Sequence, residues 1–147
     1  LQIARGLQAL ERAVRLGGAD APYTLQAAIA ACHARALRSQ DTDWPRIAAL
    51  YARLAQVAPS PGIELNRAVA LGRAAGAQAG LALADTLIDE AALRAYPALP
   101  AVRGDLLERL GRLDEARACF EQAAALTRNA REAEQMRARA AACASSA

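Results

Sequence analysis

The chain has 147 residues; 54% are hydrophobic, but aromatic residues contribute only 3%. Alanine supplies most of this excess with 42 residues, and strong helix formers dominate over β-branched residues, so the composition predicts an all-α fold. The net charge is +3, yet all 18 basic residues are arginines scattered among acids, which argues against direct DNA binding by this chain.

Breakers divide the chain into about eight helical segments. Pro22 precedes the second segment, and Pro45 falls in the first turn of the third, where its missing N–H costs nothing. Trp44, which precedes that proline, is expected at the helix entrance. The predicted segments are about 1–16, 23–38, 45 to the Pro59-Ser60-Pro61 break, 62–74, 77–92, 98–110, 113–126 and 129–143.

Helices of this length joined by short turns form antiparallel hairpins. We therefore predict one domain over residues 1–147, built as a right-handed stack of hairpins. Residues 1–18 form a possible leading or linker helix, and residues 129–143, with Asn129 as a cap, form a polar capping helix. The hairpins themselves are predicted at 23–59, 61–92 and 97–127.

Residues 97–130 carry a repeat signature. Small, large, turn and aromatic residues follow the spacing of the tetratricopeptide repeat (TPR), a helix–turn–helix of about 34 residues. The signature residues are Gly104, Leu107, Gly111, Ala116, Phe120 and Ala123. Small residues at these positions let two helices approach, and the aromatic ring fills the gap between them. The sequence therefore predicts a TPR-like stack.

Two weaker copies of the signature precede it. In one, Ala68, Leu71 and Gly80 take the same offsets, and Ala84 replaces the aromatic residue. In the earlier copy, Tyr51 takes the aromatic position and a closing proline follows, but the first helix is out of register. A longer polar turn at residues 39–43 would explain this shift.

No residue pattern indicates catalysis, a cofactor or a metal. The single histidine, His33, adjoins Cys32, and neighbouring helical residues point in different directions, which is poor spacing for metal ligands. The chain contains no nucleophile elbow, zinc-protease motif or phosphate loop. We therefore predict a non-enzymatic protein without catalytic, cofactor-binding or metal-binding residues.

Cysteine usage and hydropathy indicate the compartment. The three cysteines are far apart and form no C-x-x-C motif, so a reducing cytoplasm is the simpler interpretation. No apolar run is long enough to span a bilayer, and charges interrupt the first 18 residues, which lack the layout of a signal peptide. Because the chain does not begin with methionine, we interpret it as a piece of a longer protein.

Polar and aromatic residues within the apolar stripes are the candidates for binding. On the repeat frame, Asn66 and Asp105 are expected to face the concave groove. Alternatively, these two side chains bridge helices through structural hydrogen bonds, and Trp44 is a core residue between hairpins rather than a contact anchor. The full set predicted to line an interaction groove is Trp44, Tyr51, Asn66, Arg67, Arg103 and Asp105.

Five blocks of sequence resemble a known family: LQAAIAACHA, DTDWPRIAALYARL, SPGIELNRAVAL, AGLALADTL and RGDLLERLGRLDEARACFEQAAALTRN. Together they resemble the C-terminal TPR-like extension of bacterial extracytoplasmic-function (ECF) RNA polymerase sigma factors, over about residues 5–135. The resemblance implies a regulatory domain that modulates transcription initiation by contacting its own sigma domains, and possibly RNA polymerase or another protein.

Two other functions remain open. The first is a scaffold that binds a short peptide in the concave groove and has no connection with sigma activity. The second is a small-ligand sensor with a pocket between hairpins near Trp44 and Tyr51. No membrane partner is expected in any of these cases.

Overall fold

The computed structural model describes residues 21–36 and 39–146, which form seven α-helices, two short 3-10 turns and no strand. The all-α prediction is confirmed. The helices are α1 Pro22–Arg35, α2 Trp44–Val57, α3 Pro61–Ala74, α4 Ala77–Asp85, α5 Ala98–Arg109, α6 Leu113–Leu126 and α7 Ala130–Ser146, and the 3-10 turns are Ser39–Asp41 and Ala91–Leu93. The helix predicted for residues 1–16 and the leading segment 1–18 lie outside the described residues.

The chain divides into two compact units, Leu1–Ala74 and Ala75–Ala147, called here the N-terminal and the C-terminal unit. The N-terminal unit contains α1 to α3, and the C-terminal unit contains α4 to α7. Within each unit, consecutive helices pack against each other. The single domain over 1–147, and the hairpin at 61–92 whose helices fall in different units, stay predictions.

Proline and polar caps set the helix starts. Pro22 and Pro45 occupy the first turns of α1 and α2, as their fixed φ angle favours. At α2, which begins at Trp44 as predicted, the Asp43 carboxylate accepts a hydrogen bond of 3.2 Å from the backbone N–H of Arg46. At α7, the predicted cap Asn129 accepts one of 3.0 Å from the N–H of Glu132.

Replacing Asp43 with alanine should lower the free energy of unfolding by about 1 kcal/mol, because the first turn of α2 would lose its side-chain acceptor. Urea denaturation followed by the fluorescence of the neighbouring Trp44 measures the change. Asp43→Asn is the matched control, since asparagine caps almost as well as aspartate. An equal loss in both variants would contradict a capping role.

The helix predicted after Gly76 is shorter in the structure than in the prediction. The pattern predicts a helix over 77–92, but α4 ends at Asp85 and the chain continues in tight turns. The hydroxyl of Thr86 donates a hydrogen bond of 2.6 Å to the carbonyl of Leu83, and the Thr86 N–H donates to the same oxygen at 3.1 Å. Side-chain hydroxyls that bind nearby carbonyls compete with helix hydrogen bonds, which accounts for the early end.

Each unit has its own apolar core. The core of the N-terminal unit joins α1, α2 and α3 through the buried residues Leu25, Ile29, Cys32, Ile47, Leu54 and Ala70. The largest fully buried side chains of the C-terminal unit are Phe120, Leu81, Leu106, Leu107 and Cys143. Among all the buried apolar residues, alanine and leucine are the most frequent in both units.

Candidate protein-interaction site

The repeat signature forms a packed contact between α5 and α6. Phe120 is 0% exposed, and a Cβ atom added to Gly104 would lie 2.7 Å from its Cε1 atom. Ala116 and Ala123 are also fully buried. Between the two helices, Gly111 has a φ of 76°, a backbone conformation that favours glycine. The residues predicted from TPR spacing therefore hold α5 against α6, and this packing positions Arg103 and Asp105 on α5.

Trp44 and Tyr51, both predicted to line a groove, are partly buried against the core of the N-terminal unit. The ring of Trp44 meets the ring of His33 edge to face, with centroids 5.7 Å apart. Burial raises the pKa of Tyr51, as expected for a hydroxyl that loses contact with water. These contacts match the alternative in which Trp44 is a core residue.

Asn66 and Arg67 on α3 differ in whether their side chains are free to bind a partner. The side chain of Asn66 is exposed. Arg67 donates two hydrogen bonds to the carboxylate of Glu64, at 2.9 and 3.1 Å, and this pairing raises the pKa of Arg67. Asn66 is therefore accessible to a partner, whereas the guanidinium of Arg67 is engaged one turn earlier on its own helix.

Arg103 connects three helices of the C-terminal unit. Its Nε donates a hydrogen bond of 2.9 Å to Oδ1 of Asp85 at the end of α4, and its Nη1 lies 3.4 Å from Sγ of Cys119 on α6. Burial raises the pKa of the Cys119 thiol, and the positive charge of Arg103 offsets part of that rise. Arg103 thus has a structural role inside the unit.

Asp105, two residues further along α5, belongs to a different ion-pair cluster, because residues two apart on a helix do not share a face. Its carboxylate accepts from Arg139 of α7 at 3.1 Å and pairs with Arg109 at 3.3 Å. Arg139 also donates to Glu108 at 2.6 Å. The guanidinium of Arg139 lies 4.3 Å from the centroid of the Phe120 ring. Asp105 therefore bridges two helices, which sequence reasoning had considered as its alternative role.

A double-mutant cycle should measure this bridge. Asp105→Ala and Arg139→Ala are expected to show a coupling of about 0.5–1 kcal/mol in urea denaturation, since both side chains are partly exposed. The cycle cancels the contacts of Arg139 with Glu108 and Phe120. Asn66→Ala is the control and should change stability by less than about 0.5 kcal/mol. Zero coupling would remove the structural role of Asp105.

Two clefts, which sequence reasoning missed, lie near the start of α5. One has a volume of about 70 Å³ and is lined by Ile88, Leu93, Arg94, Leu99, Pro100, Arg103, Gln122 and Leu126. The other has a volume of about 320 Å³ and is lined by Ala95, Tyr96, Pro97, Leu126, Thr127 and Arg128. Leu126 belongs to both linings. Pro97 and Pro100 favour an irregular chain at this point, but no sequence pattern predicts a cleft.

Side chains that could ligate a metal are dispersed in the part of the chain that the structure describes. Within residues 21–36 and 39–146, no three His, Cys, Asp or Glu side chains are grouped to hold a metal ion. No helix in the same ranges is both long enough and apolar enough to cross a bilayer. All three cysteines are buried and unpaired.

Comparison with known proteins identifies the fold. No family model matches the chain. The crystal structure of a thermophilic TPR protein in Thermus thermophilus is similar with a TM-score of 0.64 and 19% sequence identity, over 97% of this chain and 71% of that one. The fold is TPR-like. The prediction of a TPR-like helical stack, made from the spacing of residues 97–130, is therefore confirmed.

A relative in sequence is an uncharacterized protein of Rhizobium meliloti (strain 1021). The two sequences are 47% identical over 116 residues, which is 79% of this chain and 27% of that protein. The chain thus spans about a quarter of the length of this relative.

Proposed function

We propose that this chain is a protein-interaction module of the cytoplasm, and that it acts by binding rather than by catalysis. The observation that carries the proposal is the TPR-like fold, which extends over 97% of the chain in the structural comparison. Stacked helical hairpins present extended, rigid surfaces that suit protein segments as ligands. The three unpaired thiols support a reducing compartment.

We further propose that the partner is the sigma region of an ECF sigma factor, contacted within the same protein, and that the contact modulates transcription initiation. The support is the resemblance of five blocks between Leu25 and Asn129 to the TPR-like extension of such factors. The Rhizobium meliloti relative is much longer than the matched region, so it has room for further domains. In this proposal the module itself does not contact promoter DNA.

The reading frame that contains this chain provides the first test. We expect it to encode two sigma-type helical domains before Leu1, and a frame without them would contradict the sigma proposal. The second test titrates those domains, expressed separately, into the isotope-labelled chain and follows its amide resonances. Saturable shifts are the expected result. No shift at high micromolar concentration would contradict binding within the same protein but leave binding to another partner intact.

A further inference from the structure

The surface at the start of α5 exposes large apolar side chains. Tyr96 is 61% exposed and Ile88 is 47% exposed. Tyr96 lines the larger cleft, Ile88 lines the smaller one, and Leu126 lines both. Apolar side chains grouped around a concave surface mark binding sites more often than single exposed ones do. We call the group of Ile88, Arg94, Tyr96, Leu126 and Arg128 the Tyr96 surface.

The charges that line the two clefts are all positive. Arg94 and Arg103 line the smaller cleft and Arg128 lines the larger one, while no acidic residue lines either. Arg103 is paired with Asp85. Arg94 and Arg128 are exposed, and neither forms an ion pair with any residue that the structure describes. Their charges are therefore available to an acidic partner.

The first turn of α5 forms part of the wall of the smaller cleft, and its electrostatic potential is also positive. It contains no acidic side chain, and Pro97 provides no side-chain cap. The N–H groups of Ala98 and Leu99 carry partial positive charge, which adds to the potential of the arginines, whereas Pro100 has no N–H. Asp89 and Glu90 lie in the preceding turn but line neither cleft.

The volume of the smaller cleft limits what can enter it. An apolar cavity of about 150 Å³ holds a benzene molecule. A cleft of about 70 Å³ is smaller than that, so it suits a short aliphatic group better than an aromatic ring. The walls formed by Ile88, Leu93 and Leu99 suit such a group.

We propose that the Tyr96 surface docks an acidic peptide segment of a partner protein, with one aliphatic side chain of that segment seated against Leu126. Flanking carboxylates pair with Arg94 and Arg128, and the aliphatic side chain displaces water from the smaller cleft. This inference rests on the proposed interaction function, because it names the place of contact and the chemistry of the partner. It places the contact where the chain enters α5, at a cleft whose lining includes one residue of the predicted groove, Arg103.

Selection of peptides from a displayed random library on the full chain tests this proposal. We expect the enriched peptides to carry an aliphatic residue between acidic ones. Arg94→Gln combined with Arg128→Gln should weaken binding of a synthetic enriched peptide about tenfold at low salt, and Tyr96→Ser should weaken it to a similar degree. Because these side chains are exposed, the variants should keep the helical content of the parent in circular dichroism.

Arg131→Gln combined with Arg137→Gln is the matched control. These two arginines are exposed on α7 and line neither cleft, so the control removes the same charge from the same unit. It should change the affinity by no more than about twofold, because neither side chain lines a cleft and salt screens exposed charges. Enrichment of basic or uncharged peptides would overturn the proposal, as would acidic peptides that lose equal affinity in both double variants.

The binding experiments separate two claims, that the chain binds peptides at all and that it binds them at the Tyr96 surface. Selected peptides that are sensitive to Asn66→Ala but not to changes in the Tyr96 surface would overturn this inference and support the predicted groove instead. A library that yields no binder at all would contradict both.

Discussion

Replacing Phe120 with alanine should lower the free energy of unfolding by about 3–5 kcal/mol, the usual cost of truncating a buried aromatic side chain. The ring is 0% exposed and fills the space that Gly104 leaves between α5 and α6. It also supports the guanidinium of Arg139, 4.3 Å from the ring centroid, so the cavity would disturb the contact with α7 as well. Urea denaturation followed by far-UV circular dichroism measures the loss.

Arg117→Ala is the control for this prediction, because Arg117 lies on the exposed side of the same helix and pairs with nearby Glu121. An exposed ion pair contributes little, so the control should change stability by less than about 0.5 kcal/mol. A loss in Phe120→Ala below about 1 kcal/mol would mean that the ring does not anchor the hairpin.

Replacing Gly104 with alanine should destabilise the protein by about 1–3 kcal/mol, although alanine normally favours a helix over glycine by about 1 kcal/mol. The added methyl group would lie 2.7 and 2.9 Å from two carbons of the Phe120 ring. A ring that is fully buried has little space to move, so α5 must shift or the ring must leave its position. The same denaturation experiment measures the sign of the change.

Gly62→Ala is the control, because the same substitution is expected to stabilise the protein at this position. Gly62 is exposed near the start of α3, and the nearest atom to an added Cβ is Oγ of Ser60 at 3.9 Å. Alanine should therefore stabilise α3 by up to about 1 kcal/mol.

The double variant Gly104→Ala with Phe120→Leu tests the clash directly. Its loss in free energy of unfolding should be smaller than the sum of the two single losses, because the smaller side chain relieves the clash. Stabilisation by Gly104→Ala alone would contradict the close approach.

The residues predicted to line a groove differ in whether their side chains are free to bind a partner. Sequence reasoning selected Asn66, which is exposed, but also Arg67 and Arg103, whose guanidinium groups bind carboxylates of the same chain. No sequence pattern points to Tyr96, because a tyrosine before a proline indicates only an irregular segment. The role of the predicted groove, like the sigma-factor context, stays a proposal that the binding experiments address.

The sequence by itself determined the features that depend on neighbours along the chain. Alanine content and helical spacing predicted the all-α fold, Pro22 and Pro45 predicted helix starts, and the offsets from Gly104 to Phe120 predicted a TPR-like hairpin. These signals are local, because capping, proline geometry and helical periodicity act over a few residues. Periodicity does not predict the early end of α4, because apolar residues keep helical spacing beyond Asp85 while the Thr86 hydroxyl binds the Leu83 carbonyl.

Only the tertiary structure decided which polar groups meet. Arg103 pairs with Asp85 across 18 residues of sequence, and Asp105 pairs with Arg139 across 34. Helical periodicity indicates which face a residue occupies, but it does not indicate which helix covers that face or which side chain reaches it. The 61% exposure of Tyr96 has the same origin, because it depends on how the segment that leads into α5 packs against the helices. The surface left for a partner is therefore a property of the packed helices and not of any one of them.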